Sequence, residues 1–317
     1  MSRLAIGVDI GGTKVAAGLV DEDGTILARA RRLTPSTDPE AVELTIVDVV
    51  RELRAGHEVV GVGIGAAGFV DADRARVMFA PHLAWRNEPL RDDVAAALGD
   101  LPVIVENDAN AAAWAEWRFG AAQGESRLVC VTLGTGIGGA IVLDGVVQRG
   151  RWGMAGEFGH MVVVPDGRRC ECGNRGCLEQ YASGNVLGRE ARELAAAGSP
   201  VTVPLVERVG GDVSQLVGPL ITEAAMEGDP TAMELFDEVG RWLGIGLANI
   251  AAALDPGTFV IGGGVSDAGE LLLGPARESF RRTLTGRGFR PEARIVKAAL
   301  GPESGMVGSA DLARGAG

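Results

Sequence analysis

The sequence predicts an α/β protein made of two duplicated halves, and three observations carry that expectation. Short apolar runs alternate with helix-periodic segments, a glycine loop followed by a hairpin occurs twice, and no low-complexity linker interrupts the chain. With 317 residues the chain exceeds one ordinary core, so two domains of about 100–200 residues each are expected.

The first element is a buried strand over 4–9, followed by Gly11, Gly12, Thr13 and Lys14. An Asp23-Gly24 turn then joins strands 15–20 and 25–31 as a hairpin. Asp38 precedes a helical pattern over 39–53, and 59–64 is again strand-like. Residues 103–106 form another strand that delivers Asn107 and Asp108 to its C-terminal edge, ahead of a helix over 109–118. Edges of that kind are where open α/β sheets hold ligands.

The second half repeats the scheme. Strand 128–133 leads into Gly134, Thr135, Gly136, Gly138 and Gly139, then into a hairpin turning at Asp144-Gly145 between 140–143 and 146–148. A long amphipathic helix follows over 231–254, with Leu235, Val239, Trp242, Leu243 and Ile250 as its apolar stripe, and Asp255-Pro256 ends it. Strand 258–261 enters Gly262, Gly263 and Gly264, a helix spans 267–283, and a last helix over 304–314 returns to the first domain.

Composition narrows the function classes. A net charge of -12 and a pI near 4.8 oppose a nucleic-acid surface, which needs a concentrated basic face. No apolar run reaches the roughly 18 residues of a membrane span, and residues 4–9 already read as a core strand rather than a leader, so a cytoplasmic protein is expected. Lys14 and Lys297 are the only lysines, which makes Lys14's place in a glycine loop conspicuous.

Residues 156–179 read GEFGHMVVVPDGRRCECGNRGCLE. Three thiols and one imidazole, from Cys170, Cys172, Cys177 and His160, match a closed tetrahedral zinc site, and the C-x-C-x4-C spacing lets one loop supply three ligands. The alternative is a disulfide with a spare thiol, which the expected reducing compartment disfavours. Cys130 lies in the apolar run 128–133 and reads as an inert core residue.

Glycine loops admit phosphate oxygens to backbone amides because no Cβ obstructs them, which suits Gly11, Gly12, Gly134, Gly136, Gly138 and Gly139 to phosphate contact, with Thr13 and Thr135 adding hydroxyls. Gly262, Gly263 and Gly264 form a third such run. Either loop alone could be a tight turn; the matched pair favours phosphate. Neither fits a P-loop or a dinucleotide fingerprint, since each opens a hairpin. Asp9 could hold magnesium through water or cap nearby amides, and Lys14 could neutralise phosphate or be a surface cation.

Taken together, DIGGTK at 9–14, ENDAN at 106–110, LGTGIGG at 133–139, GEFGH at 156–160 and CECGNRGCLE at 170–179 resemble the ROK family of sugar kinases and sugar-responsive repressors, and within it the bacterial glucose kinases. The resemblance covers nearly the full length. It implies the actin-like ATPase fold shared with hexokinases, two α/β domains with a cleft between them. The expected division is 1–109 plus 301–317 as a small domain and 110–300 as a large one carrying the zinc loop.

The resemblance makes Asp108 the catalytic base, assigns sugar hydroxyls to Asn107, Glu157, His160 and Glu179, and makes His160, Cys170, Cys172 and Cys177 the ligands of a structural zinc. Gly68 lies in the sugar loop, where many relatives have a proline before the glycine and this chain has Ala67. Asp108 could otherwise be a helix N-cap, and Glu157 and Glu179 surface acids. The implied activity is phosphorylation of glucose at its 6-hydroxyl by ATP with Mg2+. Another hexose or an N-acetylhexosamine is the alternative substrate, and polyphosphate an alternative donor. A repressor role needs a helix-turn-helix segment, and none fits before Leu4. The expected partners are sugar and nucleotide, with no nucleic acid and no membrane, in a homodimer or homotetramer.

Overall fold

The computed structural model describes residues 3–99 and 101–315. Residues 1, 2, 316 and 317, which end the segments expected to form the small domain, lie outside the described residues. In chain order the first elements are β1 (Leu4–Ile10), β2 (Lys14–Val20), β3 (Ile26–Leu33), α1 (Pro39–Arg54), β4 (Val59–Ala66), the short strands β5 (Phe69–Val70), β6 (Val77–Phe79) and β7 (Arg86–Glu88), α2 (Leu90–Leu98), β8 (Val103–Asn107) and α3 (Asp108–Arg118). They are followed by β9 (Arg127–Leu133), β10 (Ile137–Leu143), β11 (Val146–Val147), α4 (Glu179–Ala182), α5 (Gly184–Ala196), α6 (Val203–Arg208), α7 (Gly218–Met226), α8 (Pro230–Leu254), β12 (Thr258–Gly262), α9 (Glu270–Thr283), β13 (Arg294–Lys297) and α10 (Ser304–Arg314).

Two compact units result, one of Met1–Ser126, Ala140–Gly156 and Ala299–Gly317, the other of Arg127–Gly139 and Glu157–Ala298. The expected boundary at 109/110 falls inside α3, a continuous helix of 11 residues that groups whole with the first unit.

In the first unit the sheet order is β3-β2-β1-β4-β8. β1 runs antiparallel to β2 and parallel to β4, and β4 runs parallel to β8. Register sets Asp9 opposite Gly65 and Gly65 opposite Glu106, with Ile10, Ala66 and Asn107 one step further. The C-terminal ends of three parallel strands therefore collect Asp9, Glu106 and Asn107 along one edge. On the sheet lies α1, started by Asp38, whose carboxylate accepts from the Ala41 N–H, and by Pro39 at the first helical position. Its Val42, Ile46, Val49, Val50 and Leu53 are buried. Against the sheet's other side α10 approaches so closely that a Cβ on Gly7 would lie 1.8 Å from the Met306 carbonyl oxygen, and one on Gly63 1.8 Å from that of Ser309. The last helix does return to the first unit.

The second sheet has the order β11-β10-β9-β12-β13, the same hairpin, central strand and parallel partners as the first. Its Asp144-Gly145 turn has φ of 49° and 75°, both left-handed as a two-residue hairpin turn of the I′ type requires. In the second unit β12 pairs in parallel with β9 and β13. Helix α8 starts at Pro230 behind an Asp229 cap and stops where Asp255 turns left-handed before Pro256. Phe236, Phe259 and Phe280 are fully buried in this unit's core. The helix expected over 267–283 begins only at Glu270, because Gly269 has φ 58° and residues Gly264–Ala268 form a separate 3-10 turn. Elements β5–β7, α2, α4–α7 and β13 have no counterpart among the elements expected from the sequence. Among the described residues, no helix is long and apolar enough to cross a membrane.

Candidate active site

In the first unit the loop after β1 is drawn tight by the Gly11 N–H donating to the Lys14 carbonyl at 3.0 Å, and Thr34, just past the end of β3, fixes it by donating its hydroxyl to the Gly11 carbonyl at 2.8 Å. Thr13 is exposed and Gly12 packs on His82. Asp9 stands at the end of β1, close to Gly305 in the first turn of α10. Burial raises its carboxyl above the ordinary 3.8, against the pull of the Lys14 ammonium. A carboxylate that is costly to ionise beside a glycine loop is suited to a cation and a polyphosphate.

Along the same edge Asn107 caps α3. Its Oδ1 accepts from the Asn110 N–H at 3.0 Å, and its Nδ2 donates to the Gly68 carbonyl at 3.1 Å. The cap position is thus Asn107's, and Asp108 is the first helical residue, its Oδ1 taking the Ala109 N–H at 2.9 Å. Asn107 joins the Gly68 loop to the helix that carries Asp108. Beneath them lies Glu106, buried and paired with Arg149 and Arg74. In the sequence Glu106 stands only as part of the 106–110 motif, and nothing there marks either arginine. Their separation along the chain left no local signal.

In the second unit the expected phosphate loops meet at the ends of β9 and β12. Gly134 and Thr135 are exposed, and the Gly184 N–H at the start of α5 donates to the Gly134 carbonyl at 2.8 Å. Gly262 ends β12, the Gly263 carbonyl accepts the Ser266 hydroxyl at 2.7 Å, and Gly264 opens the 3-10 turn with nothing within 4 Å of where a Cβ would stand. Gly136 differs from the others, because the carboxylate of Glu179 sits over it.

The donor atoms of His160, Cys170, Cys172 and Cys177 all lie within 4.8 Å of one another. His160 Nδ1 is 3.8 Å from Cys170 Sγ, and the sulfurs of Cys172 and Cys177 are 3.6 Å apart. Zinc bonds of about 2.3 Å in a tetrahedron separate sulfurs by roughly 3.8 Å, so the four donors fit that ion. A disulfide needs sulfurs at about 2.05 Å; all four cysteines are free thiols. Burial and the neighbouring thiols push Cys177 up to about 12, so a bound dication would have to displace its proton. The loop folds on its own backbone, with Gly173 N–H to the Cys170 carbonyl at 3.0 Å and Cys170 N–H to the Asn174 carbonyl at 2.9 Å.

Around this knot stand three of the expected sugar ligands, Glu157, His160 and Glu179. His160 turns Nε2 toward Glu157 Oε2 at 3.8 Å while Nδ1 faces the thiols, so one ring serves two neighbours. Burial raises the Glu157 carboxyl, opposed by His160 and reinforced by Glu179. Glu179 opens α4 and accepts the Ile137 N–H on Oε2 at 2.8 Å. Neither acid is a free surface group. Arg168 straps the knot to α5 through Glu193, with bonds of 3.0 and 2.9 Å, a pair the sequence did not signal.

Fold and donor sets together describe a duplicated α/β protein with glycine loops at its strand ends and one loop that gathers three thiols and an imidazole. The chain belongs to the ROK family, whose model matches residues 5–316. It is 50% identical over 311 residues to the glucokinase of Streptomyces coelicolor, covering 98% of each chain, and 38% identical to that of Thermotoga maritima, covering 97% of this chain and 96% of that one. Its structure is similar to the crystal structure of a ROK family glucokinase from Streptomyces griseus in complex with glucose and AMPPNP, with a TM-score of 0.89 and 53% identity over 98% of this chain and 99% of that one.

Proposed function

We propose that this chain transfers the γ-phosphoryl group of ATP to the 6-hydroxyl of glucose, with Asp108 as the general base. The observation that carries the reading is the placement of Asp108 as the first residue of α3 while Asn107 takes the cap, at the C-terminal edge of parallel strands. The likeness to glucokinases supports the substrate pair.

A sugar hydroxyl is a poor nucleophile at neutral pH, so a carboxylate must take its proton as the oxygen bonds to the γ-phosphorus and the bond to the β-phosphate oxygen breaks. Asp108 receives that proton and ADP leaves. Asn107, the Gly68 loop, Glu157, His160 and Glu179 would hold sugar hydroxyls. Gly11, Gly12, Thr13 and Lys14, with Gly134, Thr135 and Gly262 to Gly264, would meet the phosphates. Asp9 would hold Mg2+ through water; the ion supplies charge neutralisation on the transferring group. His160, Cys170, Cys172 and Cys177 would hold zinc, and four protein ligands leave no open position, so its part is to keep Glu157 and Glu179 in place. A cytoplasmic setting, where thiols stay reduced, suits this knot. The family resemblance leads us to propose a homodimer or homotetramer, which light scattering tests.

The test is an ADP-release assay with Mg-ATP over a panel of hexoses and N-acetylhexosamines. Glucose is expected to give the highest kcat/KM. A higher value on an N-acetylhexosamine would reassign the substrate, and ADP release indifferent to every sugar would sink the reading.

A further inference from the structure

We infer that Gly136, which the sequence assigns to the nucleotide loop, and its neighbour Ile137 are positioning residues of the sugar site that set the place of the Glu179 carboxylate and of the turn Phe158–His160. The inference rests on the sugar role proposed above for Glu179 and His160.

Two close approaches carry it. A Cβ built on Gly136 would lie 2.3 Å from Glu179 Oε2 and 3.1 Å from its Cδ. The same oxygen accepts the Ile137 N–H at 2.8 Å, a charge-assisted bond that needs the carboxylate in that spot. On the other side, a Cβ on Gly159, in the middle of the turn Phe158–His160, would lie 2.5 Å from the Ile137 carbonyl oxygen and 3.0 Å from the Ile137 Cβ. Residue 137 is therefore gripped by both segments that carry sugar ligands in this unit, and only glycine at 136 and 159 permits it.

The loop has a division of labour. At Gly134 nothing lies within 4 Å of where a Cβ would stand, and Gly134 and Thr135 are exposed, which is the geometry for phosphate contact. At Gly136 that space belongs to Glu179. The Gly134 N–H donates to the Gly136 carbonyl at 3.0 Å, so the two parts remain one turn.

The clash at Gly136 is with the far end of a flexible side chain, so Gly136→Ala should fold and instead push the carboxylate off the Ile137 N–H. Glucose and AMPPNP binding are each measured alone by calorimetry on wild type, Gly136→Ala, Glu179→Asp and the double variant, with circular dichroism as the check on folding. Gly136→Ala is expected to weaken glucose on the order of tenfold, the loss of one charged hydrogen bond, and to leave AMPPNP within about twofold. In the Glu179→Asp background, where the shorter side chain leaves the space, the added methyl should weaken glucose by less than about threefold, a non-additive pair. Weakened AMPPNP with intact glucose binding in Gly136→Ala, or additive glucose losses in the double variant, would overturn the inference alone. Unchanged glucose binding in Glu179→Asp would instead remove the sugar role of Glu179, and this inference with it.

Discussion

Arg149 closes on Glu106, its Nε donating to Oε2 at 2.8 Å and its Nη2 to the same oxygen, on a carboxylate that is 1% exposed. The other oxygen accepts the Asn107 N–H at 3.1 Å and the Asn110 amide at 3.0 Å. Arg74 Nε approaches at 3.5 Å. The pair thus stands where the end of β8 meets the first turn of α3, beside Asn107 and Asp108, and Asn110 joins the two elements through the same carboxylate.

Breaking that pair leaves a buried carboxylate short of donors. Removing one partner of a buried ion pair costs about 3–5 kcal/mol, so Arg149→Met should lower unfolding stability by that amount in urea. Adding Glu106→Gln should restore part of it, because the orphaned charge is then gone. A loss below about 1 kcal/mol would mean that Arg74 and the amides suffice, and the pair would not be what organises the edge.

Asp108→Asn keeps the helix start and the Asn107 cap but removes the proton acceptor. Turnover is expected to fall about 100- to 10,000-fold while glucose affinity stays close to wild type. Near-normal kcat in this variant would take the base role away from Asp108.

Much of this arrangement could be read before any coordinates, and the reasons differ by residue. Asp23-Gly24 and Asp144-Gly145 announced both hairpins because turn chemistry is local, and Asp38 announced a helix start and Asp255-Pro256 a helix end for the same reason. Ligand types in the C-x-C-x4-C loop were legible because three of four donors sit within eight residues. Gly136 was assigned to phosphate because a glycine after a strand carries no mark of what will occupy the space it leaves; its partner Glu179 is 42 positions ahead of Ile137's bond. Glu106 was silent for the same reason, its arginine lying 43 residues away. Asp267 was read into a helix because Gly269 gives a turn signal too weak to outweigh the apolar pattern beyond it.

Zinc content separates a metal knot from a thiol cluster. Wild-type protein is expected to carry about one zinc per chain, and Cys170→Ser or Cys172→Ser to lose it together with activity, since a hydroxyl does not replace a thiolate ligand. Cys172 is exposed, so its replacement perturbs little packing and reports on the metal. Full zinc occupancy in both variants, by elemental analysis, would contradict the four-ligand assignment.

Away from the candidate site, Glu43 of α1 shares a small space with Glu88 of β7 and Asp93 of α2, their carboxylate oxygens within 4.8 Å of one another. Burial, then repulsion from Glu88 and Asp93, raises the Glu43 carboxyl from 4.5 to about 7. The folded chain therefore binds this proton more tightly than the unfolded chain does. Ionisation of Glu43 penalises the fold by nothing below pH 4.5, by a growing amount up to pH about 7, and by a constant amount above it. Glu43→Gln, which cannot ionise, should leave Tm nearly unchanged at pH about 4 and raise it at pH about 8, where the wild-type carboxylate is charged. Paired melting curves at the two pH values decide the matter: an equal change in Tm at both would mean that Glu43 titrates like an ordinary surface acid and that the three carboxylates do not feel one another.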